Sequence, residues 1–271
     1  MPDLVVDAVS YTYPQSEVAA LDGVHLAIGR GERVALVGQN GSGKTTLVRH
    51  LNGLLRPTSG RVLHDEADTA TRTVAQLARS VGLVFQDPDR QIFAGSVRAE
   101  VEFGPRNLGL GGAALATAVN AALAAVGLEA AQRTNPYDLG ASRRKLLALA
   151  SVLAMGTPVL VLDEPTTGQD QRGVEIVRRV IEEAHAAGRT LIAISHDMEF
   201  VASAFDRVVV MREGRILLDG TPATVFAVDA WKALRSSYLE PPLAAIIGSR
   251  LGLGATPTDD ALLTALAGSP Q

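Results

Sequence analysis

The chain has 271 residues, enough for one large domain or two small ones. Hydrophobic residues make up 47% and charged residues 20%, which supplies a full core and excludes global disorder. A formal net charge of -4 with no cysteine excludes a nucleic-acid footprint, a disulfide framework and a cysteine-based metal site. Met1-Pro2-Asp3-Leu4 has no basic stretch leading into an apolar core, so no signal peptide is expected.

Residues 4–10 alternate as a strand, followed by Tyr11-Thr12-Tyr13-Pro14. Val24, Leu26 and Ile28 repeat with period two and form a second strand. The turn Gly29–Glu32 then leads into Val34-Ala35-Leu36-Val37, an apolar run expected as a strand buried on both faces. Thr46 to Leu51 reads as helix, Arg61 to His64 as a short strand, and Val74 to Arg79 as a short helix. Val81 to Phe85 is the next buried strand, with Gln86 at its end. From Ser96 to about Leu153 the chain is helical. Ser96 caps a helix through Phe103 that Gly104-Pro105 ends, and an Ala-rich helix runs from about Ala113 to Val126.

Val159 to Leu162 is a second continuous apolar strand, closed by Asp163-Glu164. An amphipathic helix with Val174, Val177, Val180, Ile181 and Ala184 on one face follows, stopped by Gly188. Leu191 to Ser195 is a buried strand ending at His196, and a hairpin turns at Glu213-Gly214. The uncharged run from Leu146 to Leu162 is broken by Gly156-Thr157-Pro158, so it reads as buried helix plus strand, not as a membrane span. After Thr221-Pro222 the remaining residues read as short helices without a ligand-like cluster.

One stretch carries specific chemistry. Gly38-Gln39-Asn40-Gly41-Ser42-Gly43-Lys44-Thr45 fits the phosphate-loop pattern, and it lies between a buried strand and a helix, as that chemistry requires. Its glycines let the backbone curl with N–H groups inward, and the helix adds its positive end. Lys44 reaches the β- and γ-phosphates, the Thr45 hydroxyl ligates Mg²⁺, and Thr46 completes the first turn. This alone predicts nucleoside-triphosphate binding.

Gln86, Asp163, Glu164 and His196 all terminate buried strands. In an open parallel sheet, ligands bind beyond the carboxyl ends of strands, so these groups are expected to converge on the nucleotide. Asp163 suits a Mg²⁺ carboxylate and Glu164 the group that polarises the attacking water. His196 can bond the γ-phosphate and the water; Gln86 can link the metal or the water to the helical insertion, or be a turn residue. Tyr13 can stack on adenine or pack a sheet edge.

These residues together resemble an ABC-type ATPase subunit over about residues 3–220. The phosphate loop corresponds to Walker A, Val159–Glu164 to Walker B with its glutamate, Gln86 to the Q-loop, Thr167-Gly168-Gln169-Asp170 to the D-loop, and His196 to the switch histidine. One motif departs: Leu139-Gly140-Ala141-Ser142-Arg143 stands where Leu-Ser-Gly-Gly-Gln is usual. The hydroxyl that would meet a partner subunit's ATP is missing at Gly140. Ser142 is expected either to cap the following helix or to substitute for it. Arg143-Arg144-Lys145 puts three cations in a first helical turn, which asks for a nearby anion or a solvated basic face.

A finer resemblance is to the ATPase components of energy-coupling-factor transporters, carried by Phe85 to Ala94, Val101 to Gly109 and Ser151 to Met155. It implies a P-loop α/β core of mostly parallel sheet, an N-terminal antiparallel β-subdomain, a helical signature subdomain over about 87–153, and a nucleotide-binding domain over 1–220. It further implies a C-terminal helical extension over 221–271 that helps dimerise the ATPase. The implied activity is ATP hydrolysis with Mg²⁺, energising uptake of a vitamin or transition-metal ion. The implied partners are a second ATPase and an integral-membrane scaffold that docks on residues 86–106, Ile92 and Phe93 among them, with no nucleic acid. The implied place is the cytoplasmic face of the membrane, held peripherally. The alternatives are a soluble ABC ATPase outside transport, or a P-loop kinase.

Overall fold

The computed structural model describes residues 2–268. In chain order, β1 (Pro2–Thr12), β2 (Ala19–Gly29) and β3 (Arg33–Val37) precede α1 (Lys44–Leu51). Then come β4 (Ser59–His64), β5 (Ala67–Asp68), α2 (Val74–Leu77) and β6 (Val81–Val84). The helical stretch holds α3 (Val97–Asn107), α4 (Gly112–Ala125) and α5 (Ala141–Leu153). It leads to β7 (Val159–Asp163), α6 (Gln171–Ala186), β8 (Thr190–Ile194) and α7 (Met198–Ala204). The hairpin β9 (Arg207–Arg212) and β10 (Arg215–Gly220) is followed by α8 (Pro222–Val225), α9 (Trp231–Ser236), α10 (Leu243–Arg250) and α11 (Asp259–Gly268). No helix among the described residues is long and apolar enough to cross a membrane.

The chain divides into two compact units, one of residues up to 71 and from 194 onward, the other of residues 72–193. In the first unit, β1 pairs antiparallel with β2 and with β4, so the expected antiparallel pair is present. The period-two reading of β2 holds, since Leu21, Val24, Leu26 and Ile28 are buried between exposed neighbours. β3 lies parallel to β9 with Val34 opposite Arg207 and Val37 opposite Val210, and β9 pairs antiparallel with β10. Arg207 ties these pieces together. It forks onto Asp219 at 2.7 Å through two nitrogens and also donates to the Ala27 carbonyl at 2.8 Å and Glu32 at 3.0 Å.

In the second unit β6 runs parallel to β7, and the strand order is β8-β7-β6. β7 and β8 are buried at every position, as their uninterrupted apolar sequences require. α6 buries Ile176, Val177, Val180, Ile181 and Ala184, whereas Val174 is only half-buried. Gly104-Pro105 does not end α3, which continues to Asn107. Pro105 stands within the last turn, so its missing donor costs one bond, and its ring is buried. The Leu108 N–H then closes the end onto the Gly104 and Pro105 carbonyls. α7 escaped the sequence reading; Asp197 starts it by accepting the Phe200 N–H at 2.9 Å.

α1 packs Leu47, Val48 and Leu51 into the first unit and carries a buried His50. Its Nδ1 donates to the Thr46 carbonyl at 2.8 Å. Burial pushes this imidazole below its ordinary 6.5, against the pull of the Thr46 carbonyl. The unfolded chain therefore takes up the proton first, and stability should be lost as pH falls through that value. Urea unfolding at about pH 8 and about pH 5.5 should show this loss, and it should be smaller in His50→Gln.

Candidate functional site

One group of candidate residues grows out of β3. Its last carbonyls lead into a loop that needs backbone conformations closed to most side chains. Gly38 has φ +148°, and a Cβ there would stand 2.2 Å from the Met211 carbonyl oxygen. Gly43 has φ +103°, and a Cβ there would stand 2.6 Å from the Ala20 carbonyl oxygen. Gly43 also starts α1, with no side chain occupying the helix end. Helix begins at Lys44, two residues before the sequence reading placed it.

Lys44 is 7% exposed. Its ammonium donates to the Gly38 carbonyl at 2.6 Å, the Gln39 carbonyl at 2.8 Å and Ser42 Oγ at 3.3 Å. The loop is thus curled around the lysine amine, with Asn40 and Gly41 at its exposed tip. Tyr13 belongs to the same unit. Its hydroxyl bonds Thr46 Oγ1 at 3.1 Å, and its ring meets Tyr11 edge-on at 4.9 Å. His196 is exposed and follows Ser195, whose N–H donates to the Leu36 carbonyl of β3 at 3.3 Å. The structure therefore brings Tyr13, the phosphate loop and the residue before His196 onto one strand–loop–helix unit.

Another group, in the second unit, stands at the end of β7. Asp163 is 4% exposed and Glu164 8%. The Thr167 hydroxyl donates to Glu164 Oε2 at 3.0 Å. Asp170 caps α6 by accepting the Gly173 N–H at 2.8 Å. Gln86 is exposed two residues beyond the end of β6.

The degenerate signature differs from both expectations for Ser142. Gly140 occupies the N-cap of α5, so Ser142 is not the cap. Its hydroxyl donates to Gln169 Oε1 at 2.6 Å, so it is already engaged within the chain. Two of the three cations that follow have partners within the chain. Arg144 donates to the Leu139 carbonyl at 2.8 Å and pairs with Asp89 at 3.2 Å. Lys145 is buried on the carbonyls of Glu164 and Thr167, and Arg143 is exposed. Burial pulls the Lys145 ammonium below its ordinary range, opposed by the Glu164 and Asp163 carboxylates.

Two polar side chains were missed by the sequence reading. Gln91 accepts the Phe85 N–H at 3.1 Å and donates to the Ala148 carbonyl at 2.8 Å and Ser151 Oγ at 3.0 Å, tying the end of β6 to α5. Glu100, 3% exposed, accepts the N–H groups of Phe93 and Ala94 at 3.0 and 2.8 Å. A glutamate on the inner face of α3 gives no pattern that distinguishes it from a solvated one.

The sequence profile of the ABC transporter family matches residues 21–167. The chain belongs to this family. It is an ATPase of the ABC type, with the mixed α/β fold expected. It is 43% identical to the energy-coupling factor transporter ATP-binding protein EcfA1 of Symbiobacterium thermophilum, covering 97% of this chain and 94% of that one. It is 41% identical to the cobalt import ATP-binding protein CbiO of Rhodobacter capsulatus, covering 89% and 86%. The solved structure of cbiO1 from Clostridium perfringens, part of the ABC transporter complex cbiONQ, superposes with a TM-score of 0.76 at 37% identity, covering 92% of this chain and 99% of that one. Some relatives are longer: the chain spans 39% of an ABC transporter ATP-binding protein of Methanosarcina acetivorans. Within the phosphate loop of this ABC ATPase the Gly38 approach is the tightest. Gly38→Ala should weaken binding of a fluorescent ATP analogue by about tenfold or more, because the loop must move off the Met211 carbonyl.

Proposed function

We propose that this ABC ATPase energises uptake of a vitamin or a transition-metal ion through an importer of the energy-coupling-factor type. The observation that carries the reading is the phosphate loop curled on Lys44, in a chain that matches EcfA1 over nearly its whole length. The name of the CbiO relative favours a metal ion as cargo.

In this reading residues 38–46 bind the triphosphate of ATP, with Lys44 on its β- and γ-oxygens, and the face of Tyr13 receives adenine. Glu164, aligned by Thr167, polarises the attacking water, and His196 senses the γ-phosphate. Asp170 belongs to the surface offered to a second ATPase, as does the stretch Leu139–Arg143. Among the described residues no three acidic or histidine groups gather as a protein cage for a metal. The hard oxygens of Thr45, Gln86 and Asp163 fit Mg²⁺, which takes few protein ligands and keeps water and phosphate in its shell. They would hold it, and when bound it supplies charge neutralisation at the phosphates.

Residues 86–106 offer the docking surface for a membrane scaffold. Phe93 and Phe103 are 60% and 50% exposed and stack edge-to-face at 4.7 Å, beside a cleft of about 400 Å³ reaching Arg79, Leu108 and Met155. Ile92, expected with them, is core at 3% exposure. In the C-terminal extension Leu243, Ile247 and Leu251 line one exposed helical stripe, which suits a dimerisation element. Such a chain works peripherally on the cytoplasmic side of a membrane, and needs no nucleic acid.

The site makes a sharp expectation. Glu164→Gln should lower ATP hydrolysis about a hundredfold or more while leaving nucleotide affinity within about threefold. Because Gly140 lacks the signature hydroxyl, we infer pairing with a different ATPase. Turnover of the isolated chain should be slow, and Gly140→Ser should raise it several-fold once partners are present. Fast, cooperative turnover by this chain alone would sink the heteromeric reading.

A further inference from the structure

Glu164 has an uncommon backbone. Its φ is +52°, in the left-handed region where a residue with a Cβ is strained. Such a conformation persists only where its surroundings over-determine it. Here they come from Thr167, whose N–H donates to the Glu164 carbonyl at 3.3 Å, and from α5. The buried Lys145 donates to the Glu164 carbonyl at 2.5 Å and to the Thr167 carbonyl at 2.8 Å. One helical turn earlier, Ser142 Oγ donates to Gln169 Oε1 at 2.6 Å, and Gln169 Nε2 donates back to the Ser142 carbonyl at 3.2 Å. This second tie exists because position 173 has no side chain: a Cβ there would meet Gln169 Oε1 at 2.1 Å.

Packing alone does not ask for a lysine at 145. Burying an ammonium carries a desolvation cost, and an unbranched apolar residue of the same length would fill the space without it. What lysine adds is a compact donor on a long stem, able to bridge two carbonyls of one turn. We propose that Lys145 and Gln169 form a clasp from the signature helix that positions Glu164, with Lys145 a positioning residue for hydrolysis and not a nucleotide ligand. The clasp rests on the reading of Glu164 as the group that polarises the attacking water.

The test compares the full chain, in the complex with the partners it co-purifies with, as wild type and as Lys145→Met, Lys145→Arg, Gly173→Ala and Glu164→Gln. Lys145→Met should lower kcat about tenfold or more with the Kd for ATP within about twofold, since a small misplacement of a reacting group costs up to about a hundredfold. Lys145→Arg, which keeps two donors, should recover most of the loss. Gly173→Ala displaces the amide end of Gln169 and crowds its Cβ at 3.1 Å, at a helical position where alanine is favoured. It should fold normally and lower kcat several-fold at unchanged Kd, and it decides the matter should Lys145→Met fail to fold. A dead Glu164→Gln beside wild-type kcat in Lys145→Met and Gly173→Ala overturns the clasp alone. A parallel loss of ATP affinity makes Lys145 a structural residue and overturns it too. Unchanged hydrolysis in Glu164→Gln overturns the reading of Glu164, and the clasp with it.

Discussion

The phosphate loop depends on backbone approaches too close for any side chain. Gly38 lies against the Met211 carbonyl and Gly43 against the Ala20 carbonyl, so the loop is wedged between β9 and β2. The hairpin completes the support. The Gly214 N–H donates to the Ser42 carbonyl at 3.1 Å, and the Gly214 carbonyl accepts the Asp22 N–H at 2.9 Å. Glu213 and Gly214 both have positive φ, the twist a two-residue hairpin turn requires. A turn far along the chain therefore shapes the loop that follows β3, and Arg207 fixes the base of the same hairpin to β2.

The other unit meets a similar demand by different means. At the end of β7 the strained residue is a glutamate, whose side chain on our reading serves hydrolysis and so cannot be given up for glycine. Donors from neighbouring elements hold it instead, from Thr167 on the carboxylate and from Lys145 on the carbonyl. Glycine relieves strain by removing a Cβ, whereas here strain is retained and opposed by hydrogen bonds. The first solution gives a loop that tolerates no added atom. The second, on our proposal, gives one sensitive to loss of a distant donor.

Legibility in the sequence followed the range of the interactions involved. β3, β7 and β8 were plain because strands buried on both faces are apolar without interruption. The phosphate loop was plain because its glycines and lysine all fall within eight residues of sequence. Ser142 was misread, since its partner Gln169 lies across a helix and a strand. Lys145 could be noticed as one of three lysines, but nothing local says that it turns inward onto two carbonyls. Ile92 and Phe93 illustrate the limit at single-residue scale: adjacent apolar groups in one segment, one in the core and the other 60% exposed. Pro105 was given too much weight, because a proline in a last helical turn removes one bond and need not stop the helix.

Gly140 raises a different question, whether the fold itself demands the departure from the usual signature. It does not. The residue has φ -62° and ψ 158°, extended values that any amino acid adopts, at the N-cap of α5. A Cβ built there meets nothing within 4 Å. Serine is a good N-cap and would gain a few tenths of a kcal/mol over glycine at such a position. Neither packing nor backbone strain nor helix stability therefore explains the glycine. The Ser142 hydroxyl, the other candidate nearby, donates to Gln169 within the chain. The departure bears on whatever this turn faces outside the chain. On our reading that is a nucleotide held by another subunit, so a complete phosphate loop and an incomplete signature in one chain point to two unequal sites in the assembly.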